Sequence, residues 1–260
     1  MGLASAGVYD LKGNLLRRLD LPNVFVTSVR PDVIRRAAVA VQSHKFQPKG
    51  RNLMAGKRTS AKSFGVGRGA ARVPRVRGER YPRAGMGAFA PSTVKGRRAH
   101  PPTTDKTIKK KINRKELRLA LASAMAATAR KELVAARGHI VEDLKNIPMI
   151  ASDELQKIKR TQELREVFQS LGVWRDVERV LAGKKHRSGS RSAVLTRYGV
   201  GPLIVVAKDE GVGKAARNIP GVEVSTVSGL NVGLLAPGTK LGRLTVWTES
   251  AVRLFDTWRR

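Results

Sequence analysis

Apolar positions along these 260 residues follow strand and helix rhythms in two regions, and a long stretch between them follows neither. Residues 7–9 and 15–19 flank Lys12-Gly13-Asn14, which predicts a short strand pair joined by a tight turn. The apolar run at residues 24–27 reads as a buried strand. Over residues 31–43, Val33, Ala37 and Val41 recur on one helical face, and Pro31 suits the first helical position. A second helix is predicted over 114–137, with Leu117, Leu121, Ala124 and Thr128 as its buried stripe and Gly138 as its stop. Residues 139–144 read as another strand. Residues 161–171 read as a short amphipathic helix with Leu164, Val167, Phe168 and Leu171 inward and Gly172 as cap.

The last third alternates. β-branched runs at 203–207, 222–227 and 244–248 are separated and followed by helical stretches at 212–217, 230–236 and 249–258. Strands alternating with short helices predict an α/β fold: a mostly parallel sheet covered by helices, interrupted by a long extended basic loop. The expected organisation is one globular domain from residues 1–43 and 113–260, with 44–112 as the loop.

That loop departs from the rest in composition. It holds 19 Lys and Arg against Glu79 and Asp105, with nine of the 25 glycines and six of the 12 prolines. Leu, Ile, Val and Phe make up about 14% of it, too few to build a core. Ordering each residue costs about 1–2 kcal/mol of backbone entropy, so a fixed shape for this segment implies a large partner surface that imposes it. Disorder is the expectation for the segment alone.

Charge names the kind of partner. The whole chain carries 51 Lys and Arg against 20 Asp and Glu, a net of +31, so a polyanion is expected beside it. A net of +17 falls in the loop and +14 in the remainder. Cysteine is absent, which removes disulfides and thiol chemistry and makes a cytosolic protein the default. The most apolar helical run, residues 117–129, is Ala-rich and shorter than the roughly 20 residues a membrane span requires. No secretory signal pattern opens the chain, and Ala6 stands where a myristoylation motif asks for Ser or Thr. No membrane partner is expected.

Candidate chemistry is sparse. His44, His100, His139 and His186 have no partner at metal-ligand spacing, and no serine lies in a nucleophile-elbow pattern. Residues 211–216 form a G-x-G-x-x-A turn after a strand, as in dinucleotide folds. Asp209 and Glu210 immediately before it would repel a pyrophosphate, so a plain strand-to-helix turn is expected and no cofactor. An enzyme using this turn as a cofactor module and a nonspecific DNA-compacting protein are the competing classes.

The loop favours RNA. Its cations are mainly arginine, whose planar fork grips phosphate bidentately and stacks on bases, and glycines between them let the backbone approach closely. Phe46, Phe64, Tyr81 and Phe89 are spaced along it, suited to stacking on unpaired bases.

Three stretches carry a family resemblance: GVGRGAARVPRVRG at 65–78, ASAMAATARKELVAARGHIVED at 122–143, and RNIPGVEV at 217–224 followed by LNVGLLAPGTKLGRLTVWTESAV at 230–252. Together they resemble the archaeal and eukaryotic branch of large-subunit ribosomal protein four, in matching order over nearly the whole chain. Ending at Arg260, without the long extension of eukaryotic members, points to the archaeal side. The resemblance implies a structural, non-enzymatic part of the large ribosomal subunit, ribosome-bound in the cytoplasm. It implies binding to large-subunit rRNA in early assembly, with the loop lining part of the nascent-peptide exit tunnel. Implied partners are that rRNA, neighbouring ribosomal proteins and the nascent peptide.

Carried onto this sequence, the tunnel tip is Gly65, Gly67, Arg68, Gly69, Arg72, Arg75 and Arg77. The rRNA-binding arms are Arg51, Lys57, Arg58, Lys62, Arg80, Arg83, Lys95, Arg97, Arg98, Lys109, Lys110 and Lys111. On the globular domain, Lys184, Lys185, Arg187, Arg191, Arg197 and Arg217 are the expected rRNA contacts. A solvated loop is the plain alternative for the 184–197 run, and holding a turn is that for Arg217 with Asn218.

Overall fold

Every residue of the central strands is buried, and successive side chains turn to opposite sides, so the core divides into two faces. The computed structural model describes residues 5–189 and 192–256, with the backbone alone for 186–197. The chain packs as two units: residues up to His44 with those from Lys110 onward, and Lys45–Lys109.

The first unit contains eight strands among the described residues: β1 (Ser5–Tyr9), β2 (Leu15–Asp20), β3 (Met149–Ala151), β4 (Lys185–Gly189), β5 (Ser192–Arg197), β6 (Leu203–Val206), β7 (Glu223–Thr226) and β8 (Thr245–Thr248). Six of them form one sheet in the order β2-β1-β3-β8-β6-β7, and β4 pairs with β5 as a separate hairpin. Every pairing in the six-stranded sheet is parallel except that of the edge strand β2 with β1. The turn between β1 and β2 is the predicted one, with Gly13 at φ 80° and its N–H donated to Asp10 O.

Helices cover both faces: α1 (Asn23–Val26), α2 (Pro31–Ser43), α3 (Arg114–Thr128), α4 (Lys131–Ala136), α5 (Thr161–Ser170), α6 (Trp174–Ala182), α7 (Val212–Ala216), α8 (Val232–Leu235) and α9 (Glu249–Arg253). On one face Val8, Ile150, Leu203, Val205 and Trp247 pack with Ile34 and Ala37 of α2 and Met125 of α3. Their neighbours in sequence, Tyr9, Met149, Ile204, Val206 and Val246, point the other way and pack with Leu164 and Phe168 of α5, Val177 of α6 and Val212 of α7. That is the expected α/β layering.

Four local expectations are corrected. Residues 24–27 are not a strand; Asn23–Val26 is a helical turn, with Phe25 N donating to Pro22 O. A strand would bury Val24 and Val26 together, whereas the turn buries adjacent Val24 and Phe25 and leaves Val26 52% exposed. The 114–137 helix is two helices that break at Ala129 and Arg130. The cause is packing: Ala120, Ala124 and Met125 serve one face of the sheet, while Val134 of α4 serves the other. Residues 139–144 form no strand, because the Asp176 carboxylate takes the place of a neighbouring strand and accepts from Ile140 N at 3.1 Å. The strand lies instead at Met149–Ala151, whose three residues are all fully buried. The last helix ends at Arg253 rather than 258; Trp258 lies outside the described residues.

Candidate nucleic-acid interface

The Lys45–Lys109 unit contains no helix or named strand among its described residues; short hydrogen-bonded crossings hold it. Lys62 and Arg75 pair antiparallel, and Arg75 also pairs with Gly87. Flanking bonds run from Val76 N to Met86 O at 3.0 Å and from Ala88 N to Pro74 O at 2.8 Å. Three chain passes therefore lie side by side at residues 62, 75 and 87. Further along, Gly56 (φ 79°) lies so close to Gly96 and Arg97 that a Cβ there would fall 2.5 Å from their backbone, which only glycine permits.

Beyond the Lys62–Arg75 crossing the chain opens into a bare tip. Gly65, Gly67 and Gly69 have φ of 78°, 82° and 61°, and no atom lies within 4 Å of where their Cβ would be. Between them Val66 is 76% exposed, and Arg68 is exposed as well. Ser63 Oγ donates to Arg72 O at 3.0 Å and closes the base of this tip.

Most predicted loop cations face solvent: Arg51, Lys57, Arg58, Lys62, Arg68, Arg72, Arg77, Arg80, Arg83, Lys95, Arg98 and Lys109 are exposed. Two do not. Arg75 is half-buried, and its guanidinium donates to Gly85 O at 2.9 Å, so it holds the loop's own backbone. Arg97 is half-buried over the Phe89 ring at 5.8 Å from the centroid. Composition ranks all arginines alike; only the crossing geometry separates these two.

In the first unit Lys110 and Lys111 join a basic groove that sequence reasoning missed. They line it with Arg35 and Arg36 of α2, beside Val39, Ile112 and Glu116. Lys110 N donates to Ser43 Oγ at 2.9 Å, and His44 Nε2 meets Lys110 O at 3.1 Å, which pins the incoming chain against the end of α2. Arg36 pairs with Glu116 at 2.9 Å, while Arg35, Lys110 and Lys111 remain exposed. Residues 30–44 and 110–118, around this groove, carry eight Lys and Arg against two acids. Residues 131–182, which build α4, α5 and α6 on the opposite face, carry nine of each and are neutral. The signal was available in the sequence, but helix periodicity alone does not show which turns converge.

Within the 184–197 run, β4 and β5 pair antiparallel, with Lys185 opposite Arg197 and Arg187 opposite Leu195 in the register. Lys184 lies over the Tyr198 ring at 5.9 Å. Arg191 and the side chains of Arg187 and Arg197 lie outside the described residues. Arg217 and Asn218 are exposed just after α7.

The dinucleotide-like turn is filled from within. Asp209 Oδ1 accepts from Gly211 N at 3.0 Å and Gly213 N at 3.1 Å. The amides that a pyrophosphate would need already hold the protein's own carboxylate. Among the described residues no three His, Asp or Glu converge on a metal-sized site, and no helix is long and apolar enough to cross a membrane.

Fold and surface thus define a class: an α/β domain interrupted by an arginine-rich loop, with its charge presented outward. Residues 19–258 match the Ribosomal protein L4/L1 family, and the chain belongs to it, on its archaeal branch. It is a ribosomal protein and not an enzyme. Its sequence is 47% identical over 261 residues to the large ribosomal subunit protein uL4 of Methanosphaera stadtmanae, covering 99% of each chain. It is 46% identical to that of Archaeoglobus fulgidus (97% of this chain, 98% of the other) and 45% identical to that of Pyrobaculum aerophilum (94% and 87%).

Proposed function

We propose that this chain is a structural constituent of the large ribosomal subunit that binds large-subunit rRNA and assists its assembly, ribosome-bound in the cytoplasm. In this reading residues 1–43 and 113–260 anchor on the RNA surface, and 44–112 run into its interior. The 65–78 tip lines part of the nascent-peptide exit tunnel, beside neighbouring ribosomal proteins and the nascent peptide. One observation carries the proposal. A segment with 19 cations keeps nearly all of them exposed around a backbone held by a few crossings. Such a surface suits a partner that supplies both counter-charge and shape. The globular unit adds a groove of Arg35, Lys110 and Lys111 on one face, while its α4–α6 face is neutral.

Competition between large-subunit rRNA fragments and duplex DNA at matched salt tests the reading. A preference for rRNA of about tenfold or more is expected, because binding through phosphates alone discriminates little. Equal affinity for both would overturn it.

A further inference from the structure

The 45–109 unit contains a partly open cavity of about 250 Å³. Three cations, Arg58, Arg83 and Lys95, share its lining with two aromatic rings, Tyr81 and Phe89, and with buried Ala88. None of those three cations has an acidic partner, since the segment's acids are Glu79 and Asp105 and neither forms an ion pair among the described residues. The cavity is below the roughly 300–1,000 Å³ typical of drug-sized ligands, and of a scale for one flat ring system.

Both rings are held in place and left partly open. Tyr81 OH donates to Arg77 O at 2.6 Å, and its ring packs against Gly78, where a Cβ would fall 2.7 Å from a ring carbon. Phe89 has the Arg97 guanidinium 5.8 Å from its centroid. Even so Tyr81 is 40% exposed and Phe89 37%. Two of the cavity's lining residues, Phe89 (φ 69°) and Lys95 (φ 59°), hold left-handed backbone that side-chain-bearing residues rarely adopt. Strain of this kind gathers where a fold presents side chains to a ligand.

We propose that this cavity seats a single unpaired rRNA nucleotide, its base stacked on Tyr81 and Phe89 and its phosphate held by Arg58, Arg83 and Lys95. The inference rests on the rRNA-binding reading above and deepens it, since it assigns the stacking of one base to a defined place in the loop. Stacking tolerates any base, while the cations at the rim fix where the backbone enters.

Chemical probing of base edges in large-subunit rRNA bound to the full chain tests it. The expected result is an unpaired nucleotide protected by the wild-type protein that regains reactivity with Tyr81→Ala, while other protections persist. Affinity should fall roughly 5- to 150-fold, the range for losing one stacked base. Because Tyr81→Ala also removes the bond to Arg77, Arg83→Gln with Lys95→Gln serves as a second variant on exposed side chains, and it should expose the same nucleotide. Arg68→Gln at the tip should not. An identical footprint for wild type and both cavity variants would overturn the seat. Saturable micromolar binding of free AMP, abolished by Tyr81→Ala, would overturn the rRNA assignment of the cavity. If wild type shows no preference for rRNA over DNA, the functional reading fails first and the seat with it.

Discussion

Arg75 and Lys62 exchange both of their backbone hydrogen bonds, each at 3.0 Å, while the Arg75 guanidinium reaches across to Gly85 O at 2.9 Å. One residue therefore ties three passes of the loop together, and its charge is directed into the loop's own backbone. Arg72, three residues earlier, is exposed and lends only its carbonyl to Ser63 Oγ. The two arginines should separate on substitution. Neither Arg72→Ala nor Arg75→Ala should alter the far-UV circular dichroism of the α/β domain. Losing a hydrogen bond from a charged donor in a half-buried setting should speed amide exchange at Val76 and Gly85 on the order of tenfold in Arg75→Ala. Arg72→Ala should leave that exchange unchanged and weaken RNA binding alone. Equal exchange in the two variants would show that the crossing does not depend on the guanidinium.

The same crossing marks where the tip can be cut. Residues 65–71 lie beyond the Lys62–Arg75 pair, and no atom approaches the Cβ positions of their three left-handed glycines. Removing 65–71 should spare the thermal midpoint of the chain and its initial rRNA affinity to within about threefold, since Arg68 is the one cation removed and each phosphate is one of many. Large subunits assembled with the shortened protein should then show altered density at the exit tunnel or a late assembly defect. If the isolated chain unfolds instead, the tip is a structural part of the loop and not a bare probe.

Patterning made the α/β domain legible wherever one element served one core. Residues 31–43 and 161–170 form helices within one residue of expectation, because a single stripe faces a single sheet. It misled where one element serves both cores or where a side chain replaces a ladder. The Ala-rich helix looks continuous in sequence, yet its two halves pack on opposite faces of the sheet. The stretch after Gly138 looks like a strand until Asp176, 36 residues away from Ile140, takes its hydrogen bond. In the loop, composition showed a basic segment but not its internal order. Arg75 and Arg68 are equivalent as letters, and only long-range pairing makes one a tie and the other an exposed cation.

The groove at the end of α2 should carry a measurable share of the salt dependence. Arg35, Lys110 and Lys111 are exposed and line it together. Replacing all three with Gln should lower rRNA affinity and reduce the slope of log affinity against log salt by roughly two to three, at about 0.7–0.9 for each phosphate no longer neutralised. Arg36 is left intact because its charge is already paired with Glu116. As the matched control, Lys131→Gln with Arg165→Gln on the neutral face should leave the slope unchanged, although Arg165 lies 4.8 Å from the centroid of the Trp174 ring. Identical slopes for the groove variant and wild type would remove this face from the interface.

The folded domain should also lose stability in mild acid, and the cause is one buried pair. His139 Nδ1 lies 2.9 Å from Asp176 Oδ2, and both side chains are almost wholly buried. Asp176 is held further by Arg179 Nε at 2.9 Å. Burial pushes the His139 imidazolium below its ordinary value of 6.5, against the pull of Asp176, and nearby Arg179 and Arg137 add to the depression. Arg137 is itself lowered to about 10 by burial and by Arg243 and Arg179, which shows how crowded with cations this corner is. His139 Nε2 is buried without a partner, so protonation would add an unsatisfied N–H as well as a charge. The folded state thus binds fewer protons at this site than the unfolded chain. Its stability is at full strength above about pH 6.5 and declines as pH falls through that value toward the depressed folded one. A second decline follows below 3.8, where Asp176 is held down by bonds from His139 and Arg179 despite burial that opposes them. The thermal midpoint of the full chain should therefore drop as pH falls below about 6.5. His139→Asn keeps a donor toward Asp176 but cannot titrate, and it should flatten that part of the profile even if its midpoint near neutral pH is lower. An equally steep profile in the variant would assign the acid sensitivity to another group.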